Sequence, residues 1–169
     1  MKTKFTAEYV DLSSDRPFPA VIAAFESATG NFEDEGPRMA ALTAHSIESF
    51  EAQVHAQEST SGFMRFLTTD HGGWMRKFEA ATLQARMYVI GNPLIARTML
   101  RHSMAAGLNV PVRIYIFEDD AKKTHFAWHT PSSLMSVYNN PDVMQACKPL
   151  DEKLAHLAAT VLGLPTDPA

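Results

Sequence analysis

Imidazole ligates metals and haem iron and titrates near neutrality, so the seven histidines are the first residues to weigh for chemistry. His125 and His129 have a spacing of four, which would unite them on a helix. They fall in a segment whose alternation predicts a strand, however, where a rise of about 3.3 Å per residue leaves them roughly 13 Å apart. They read as two polar residues on the more solvated face, opposite Phe126 and Trp128. His71, in Asp70-His71-Gly72-Gly73, offers more. Glycines permit close ligand approach, and the adjacent carboxylate could orient an imidazole or raise its basicity. The plainer alternative is a strand-to-helix turn in which Asp70 caps the helix and the glycines serve the backbone. His102 follows Met99 by three positions, so both could face one cavity. Two residues of one helical turn cannot reach opposite faces of the same iron, so such chemistry would take the form of a single-ligand haem or copper site. Nine methionines without a haem-attachment motif are accounted for equally by adaptable packing or a dimer surface.

Arginine is the second residue type to weigh. Arg113, Tyr115 and Phe117 alternate on one face of a strand whose other face carries Val112, Ile114 and Ile116. A buried arginine needs a partner, and Glu118, Glu8 or a bound carboxylate would serve. Arg65, between Met64 and Phe66, raises the same question. Two arginines on inner strands fit a pocket for a small anion or a pair of structural ion pairs. Gly91-Asn92-Pro93 resembles a phosphate cradle only superficially, because it has one glycine and Pro93 removes a donor. Cys147 lies in the apolar stripe of the last helix without neighbouring bases and reads as inert packing. No Ser-His-Asp context, paired carboxylates at helical spacing or dinucleotide fingerprint occurs. Binding is therefore the expected activity, with Asp70 and His71 as the acid/base pair if the protein is an enzyme.

The elements that would position these residues follow from periodicity. Phe5, Ala7 and Tyr9 alternate as on a half-buried first strand. Ser13-Ser14-Asp15 offers cap oxygens to a helix carrying Phe18, Val21, Ile22 and Phe25 inward, which Gly30-Asn31 ends. Glu33–Pro37 reads as an acidic loop, followed by a short helix with Met39 and Leu42. Ser46 then caps a helix that turns Ile47, Phe50 and Val54 inward. After the turn Ser59–Gly62, the segment Phe63–Leu67 is apolar on both faces and predicts a central strand. A short helix spans Trp74 to Phe78, and Met87–Ile90 is the next strand. Asn92 and Pro93 begin a helix with Leu94, Ile95 and Met99 on its buried face. Val110–Glu118 and Thr124–His129 form a hairpin across the polar tip 119–123. Pro131 opens a short helical turn. Asn140-Pro141 opens a long last helix in which Val143, Cys147, Leu150, Leu154, Leu157 and Val161 repeat at spacings of four and three. Pro149 should kink or divide it, Gly163 should end it, and Pro165–Ala169 should fray.

The bulk numbers narrow the class. A chain of 169 residues is most simply one domain and needs neither disulfide nor metal to fold. Its one cysteine excludes an internal disulfide and a Cys-based zinc site. A net charge of −4 without a Lys/Arg cluster argues against nucleic acid. No apolar run follows the basic start or approaches a membrane span, so a cytoplasmic protein is expected.

Five blocks carry a family resemblance: Gly62-Phe63-Met64-Arg65-Phe66, Asp70-His71-Gly72, the stretch Tyr88–Ala96, Val112–Asp119 and Asp151-Glu152-Lys153-Leu154. In them the chain resembles the domain-of-unknown-function family numbered 302, best from about Gly62 to the C-terminus and least over residues 31–61. The resemblance implies a small dimeric α+β protein with a curved sheet packed against helices, and no particular activity.

The resulting expectation is a single α+β domain over residues 1–169, with a mixed curved β-sheet against helices, a long C-terminal helix and a variable segment at 31–61. It would be a homodimer holding a small, partly apolar or anionic molecule between sheet and helices. Arg65, Asp70, His71, His102, Arg113, Tyr115 and Glu118 would supply the polar groups. The alternatives are haem or metal binding at His71 or His102, catalysis by Asp70 and His71, and a protein-interaction role for residues 31–61.

Overall fold

The computed structural model describes residues 2–80 and 83–166, except the side chains of Pro37 and Met39. In chain order it contains β1 (Tyr9–Ser14), α1 (Phe18–Ala28), β2 (Gly30–Asn31), α2 (Glu35–Leu42), α3 (Ile47–Gln57), β3 (Met64–Asp70), α4 (His71–Met75), β4 (Ala85–Gly91), α5 (Pro93–Leu100), β5 (Val112–Glu118), β6 (Thr124–His129), α6 (Pro131–Met135) and α7 (Pro141–Leu162). The strands form one open sheet in the order β1-β6-β5-β4-β3-β2. All pairings are antiparallel except β2 with β3, so the sheet is mixed.

The core lies between one face of this sheet and helices α1, α5, α6 and α7. Val112, Ile114 and Ile116 of β5, Phe126 and Trp128 of β6, and Tyr88 and Ile90 of β4 point into it. Phe25 of α1 packs on Tyr88 and Phe126, with ring centroids 4.6 and 5.9 Å away. A satellite cluster of Phe32, Ala41, Val54 and Met64 seats α2 and α3. A sheet covered on one face leaves the alternate residues of each strand on an open face.

Asn92 and Asn140 cap α5 and α7, accepting from the backbone N–H of Leu94 at 2.8 Å and of Asp142 and Val143 at 3.0 and 3.2 Å. Ser46 caps α3 through the N–H of Ser49 at 3.1 Å. α7 runs as one 22-residue element and is not divided at Pro149. Pro149 and Gln145, whose carbonyl the missing N–H would have met, both lie on the exposed side, where a lost hydrogen bond costs least. Gly163 ends the helix at a positive φ of 71°, as the pattern predicts. The expected tail falls partly outside the described residues.

Several expectations are corrected. The packed positions of β1 are Val10 and Leu12, one residue out of phase with Phe5, Ala7 and Tyr9, and Tyr9 faces outward at 57% exposure. Pro17 occupies the α1 cap position with no side-chain cap. Gly30-Asn31 does not form a left-handed stop, because Thr29 leaves the helix extended and the pair continues as β2 beside Met64 and Arg65. The acidic loop is cut short, since α2 already begins at Glu35. Leu42 and Ile47 face outward. β3 is central only where β2 flanks it; from Leu67 onward it is the sheet edge. α4 begins at His71 rather than Trp74.

Candidate functional site

The residues singled out for chemistry do not converge on one site. Arg65 serves the C-terminal end of α1: its Nη1 donates to the carbonyls of Glu26 and Thr29 at 2.7 and 2.9 Å and to the Thr29 hydroxyl at 2.8 Å. A cation there complements the partial negative charge of a helix end. Beside it, the Glu26 carboxylate accepts from Arg86 at 3.1 Å and from the Tyr88 hydroxyl at 2.9 Å. Burial pushes the Tyr88 phenol up to about 12. This polar cluster belongs to the packing of α1 on β3 and β4.

Asp70 and His71 are adjacent in sequence but separately engaged. Asp70 caps α4, accepting from the Gly73 N–H at 2.7 Å, while His71 Nδ1 accepts from Trp74 Nε1 at 3.1 Å. The geometry is that of the capped turn. Arg113 is not buried: it lies exposed on the open face of the sheet, as does Tyr115, because helices α1, α5, α6 and α7 cover only the Val112–Ile114–Ile116 side. Neither can line a chamber between sheet and helices. Met99 points into the core whereas His102, one turn on, is exposed and faces Asp142 at 3.9 Å, so the two share no cavity. Glu118 accepts from the Gln84 N–H at 3.1 Å and from Lys122 at 3.3 Å, tying the ends of β4 and β5 together.

Two of the predicted residues do meet, on the open face. The rings of His71 and Tyr115 touch edge to face at 5.9 Å; Tyr115 stacks on Phe117 at 5.3 Å, and Phe117 on His125 at 4.7 Å. Leu67, Trp74 and Phe78 extend this patch, and they are 50%, 45% and 76% exposed. His125 bonds Asp11 at 2.9 Å and Asp119 at 3.3 Å. Burial alone would lower its pKa, but the two carboxylates outweigh it and raise the imidazole above its ordinary value. The patch is therefore bordered by acids at the hairpin end and by Arg113 and His129 at the other end of β5 and β6.

The apolar pocket lies elsewhere. A cavity of about 300 Å³ sits under α5, walled by Phe63 and Phe66, Ile90 and Gly91, Ile95, Ala96, Met99 and Leu100, Val110–Val112 and Leu150. Its lining is almost wholly apolar. Gly91 keeps the wall close, since a Cβ there would stand 3.2 Å from both Phe66 and Pro111 and one of them would have to give by a few tenths of an ångström. Asn92, Ile95 and Leu150 also border a wider cleft of about 540 Å³, whose polar members are His55, Glu58 and Lys153. Asn92 organises that junction: its amide donates to Glu58 at 2.7 Å and to the Gly62 carbonyl at 2.9 Å while its oxygen caps α5. Glu58 uses its second oxygen on His55, 2.8 Å away. Lys153 places its ammonium 5.6 Å from the Phe63 ring centre. Sequence reasoning passed over His55, Glu58 and Lys153. The one available signal was the three-residue spacing of His55 and Glu58 on a helix that ends beside the Gly91-Asn92-Pro93 elbow.

An open six-stranded sheet layered on one side by helices, with an apolar cavity under α5, defines a two-layer α+β fold. The chain belongs to the family described as Domain of unknown function DUF302, whose model matches residues 40–161 and so reaches into the 31–61 segment. A solved structure described as an uncharacterized conserved DUF302 protein from Bacillus stearothermophilus shares the fold. Its TM-score is 0.63 at 13% identity, covering 90% of this chain and 97% of that one. Among curated proteins, the chain is similar to fluoride-specific ion channels named FluC 1 of Brucella suis and of Brucella abortus. Each is 23% identical over an alignment of 139 positions that covers 76% of this chain and 55% and 52% of their lengths. The chain thus spans about half the length of these relatives. Among its described residues no helix is long and apolar enough to cross a membrane.

Proposed function

We propose that this chain is a cytoplasmic protein that binds a small, predominantly apolar molecule in the cavity under α5, and that it does so as a homodimer. The observation that carries the reading is the cavity itself. It has a volume of about 300 Å³, opens in part to solvent and is lined by apolar side chains. Ligand pockets occupy this size range and combine apolar walls with a few convergent polar groups. Here His55, Glu58 and Lys153 stand beside the apolar chamber and suit a polar head on the same molecule. The anion reading of Arg65 is dropped, since its guanidinium group is held by α1.

The test is a narrowing of the cavity. Ala96→Phe puts a ring into it from α5. Fluorescence of N-phenyl-1-naphthylamine should rise with the wild-type protein and stay flat with Ala96→Phe, while both proteins melt cooperatively. Equal responses from the two, or none from the wild type, would refute the reading.

A distinct observation supports the dimer. The open face presents an apolar, aromatic centre with acids at one end and Arg113 and His129 at the other. A two-fold axis lying in the plane of the joint and across the strands sets each basic end against its partner's acidic end. Leu67→Glu would bury an unpaired carboxylate in that joint. Light scattering at micromolar concentration should give a dimer mass for the wild type and a monomer mass for Leu67→Glu. A wild-type monomer would sink the proposal.

A further inference from the structure

The α5 cavity and the cleft beside it adjoin through Asn92, Ile95 and Leu150, which border both. The charges in the cleft are unequally matched. Glu58 is engaged at both oxygens, Oε1 with His55 at 2.8 Å and Oε2 with the Asn92 amide at 2.7 Å. Lys153 is half-buried and, among the described residues, forms no ion pair. Its ammonium stands over the Phe63 ring instead, 5.6 Å from the ring centre. The same ring walls the cavity. An unmatched cation is thus stationed where an apolar chamber meets a wider polar cleft.

We propose that the bound molecule is an apolar monocarboxylate of up to decanoate size, its chain in the α5 cavity and its carboxylate on Lys153 Nζ. The assignment rests on the cavity reading above and adds the chemistry of the head. A cavity of about 300 Å³ admits up to about ten carbons, taking a methylene at roughly the 30 Å³ share of a liquid water molecule. A carboxylate meets an ammonium in a charge-assisted hydrogen bond, and one negative charge matches one lysine. A phosphate monoester would bring close to two charges and set the surplus beside Glu58. A cationic head would face Lys153 and find both Glu58 oxygens already engaged. Long-range attraction gives no help, because a protein of net charge −4 repels anions. Selectivity for a carboxylate must therefore come from the local site.

The test is displacement of N-phenyl-1-naphthylamine from the intact chain by decanoate, decanol and decyltrimethylammonium, near neutral pH where the carboxylate is ionised. Decanoate should bind about tenfold more tightly than decyltrimethylammonium, which has the same chain and the opposite charge. Lys153→Met keeps the apolar stem without the charge and should take up the dye as the wild type does. It should lose about tenfold in affinity for decanoate and none for decanol. If Lys153→Met fails to fold, the wild-type comparison of opposite charges decides. Dye displaced equally by decanoate and decyltrimethylammonium, or by decanoate equally from wild type and Lys153→Met, would overturn the carboxylate assignment and leave the cavity reading standing. Dye that never binds the wild type would overturn both.

Discussion

Gly30→Ala is expected to destabilise the fold by more than about 4 kcal/mol, enough to leave most of the chain unfolded or insoluble. A Cβ on Gly30 would stand 1.7 Å from the carbonyl oxygen of Gln57 and 3.3 Å from Glu58 Cα, both backbone atoms at the end of α3. No rotamer relieves a clash with backbone. Either α3 backs away from β2 or β2 leaves β3. The first empties the cluster in which Val54 meets Phe32 and Met64, and the second breaks the parallel pairing of Gly30 and Asn31. The damage reaches the cleft, because Glu58 follows Gln57 directly and holds Asn92. A urea melt with an unshifted midpoint would show that α3 is not seated on Gly30.

Leu154→Ala should cost about 2–5 kcal/mol, the range for deleting a fully buried leucine from a core that cannot collapse around the hole. Leu154 has no exposed surface and lies mid-way along the buried stripe of α7, between Leu150 and Leu157. The thermal midpoint should fall by many degrees with cooperativity retained. An unchanged melt would remove α7 from the core.

The parts of this fold written in local pattern could be read from the chain. The alternating spacings along α7, the asparagine–proline openings of α5 and α7, and the β5–β6 hairpin each depend on neighbours in sequence. The positions of α1 that pack inward were legible for the same reason. The layering was not. Arg113, Tyr115 and Phe117 alternate as clearly as Val112, Ile114 and Ile116, and nothing in one strand says whether helices cover one face or two. Assigning the polar set to a chamber followed from assuming a cover that the sheet lacks. Asp70 and His71 were ambiguous for another reason: a capping carboxylate beside a glycine pair has the same sequence as a reactive pair on a turn. The cleft residues His55, Glu58, Asn92 and Lys153 come from separate segments, brought together by the seating of α3 and α7 around Asn92.

Phe66 is supernumerary to the sheet. The register passes from Arg65 opposite Ile90 to Leu67 opposite Val89, leaving Phe66 with no cross-strand partner. Its ring still forms part of the α5 cavity wall and meets Phe32 edge-on at 5.4 Å. Removing it would leave Arg65 and Leu67 facing the partners they face now. Heredity can therefore edit this position as a dial, resizing the chamber by single codons while the ladder beside it keeps its register.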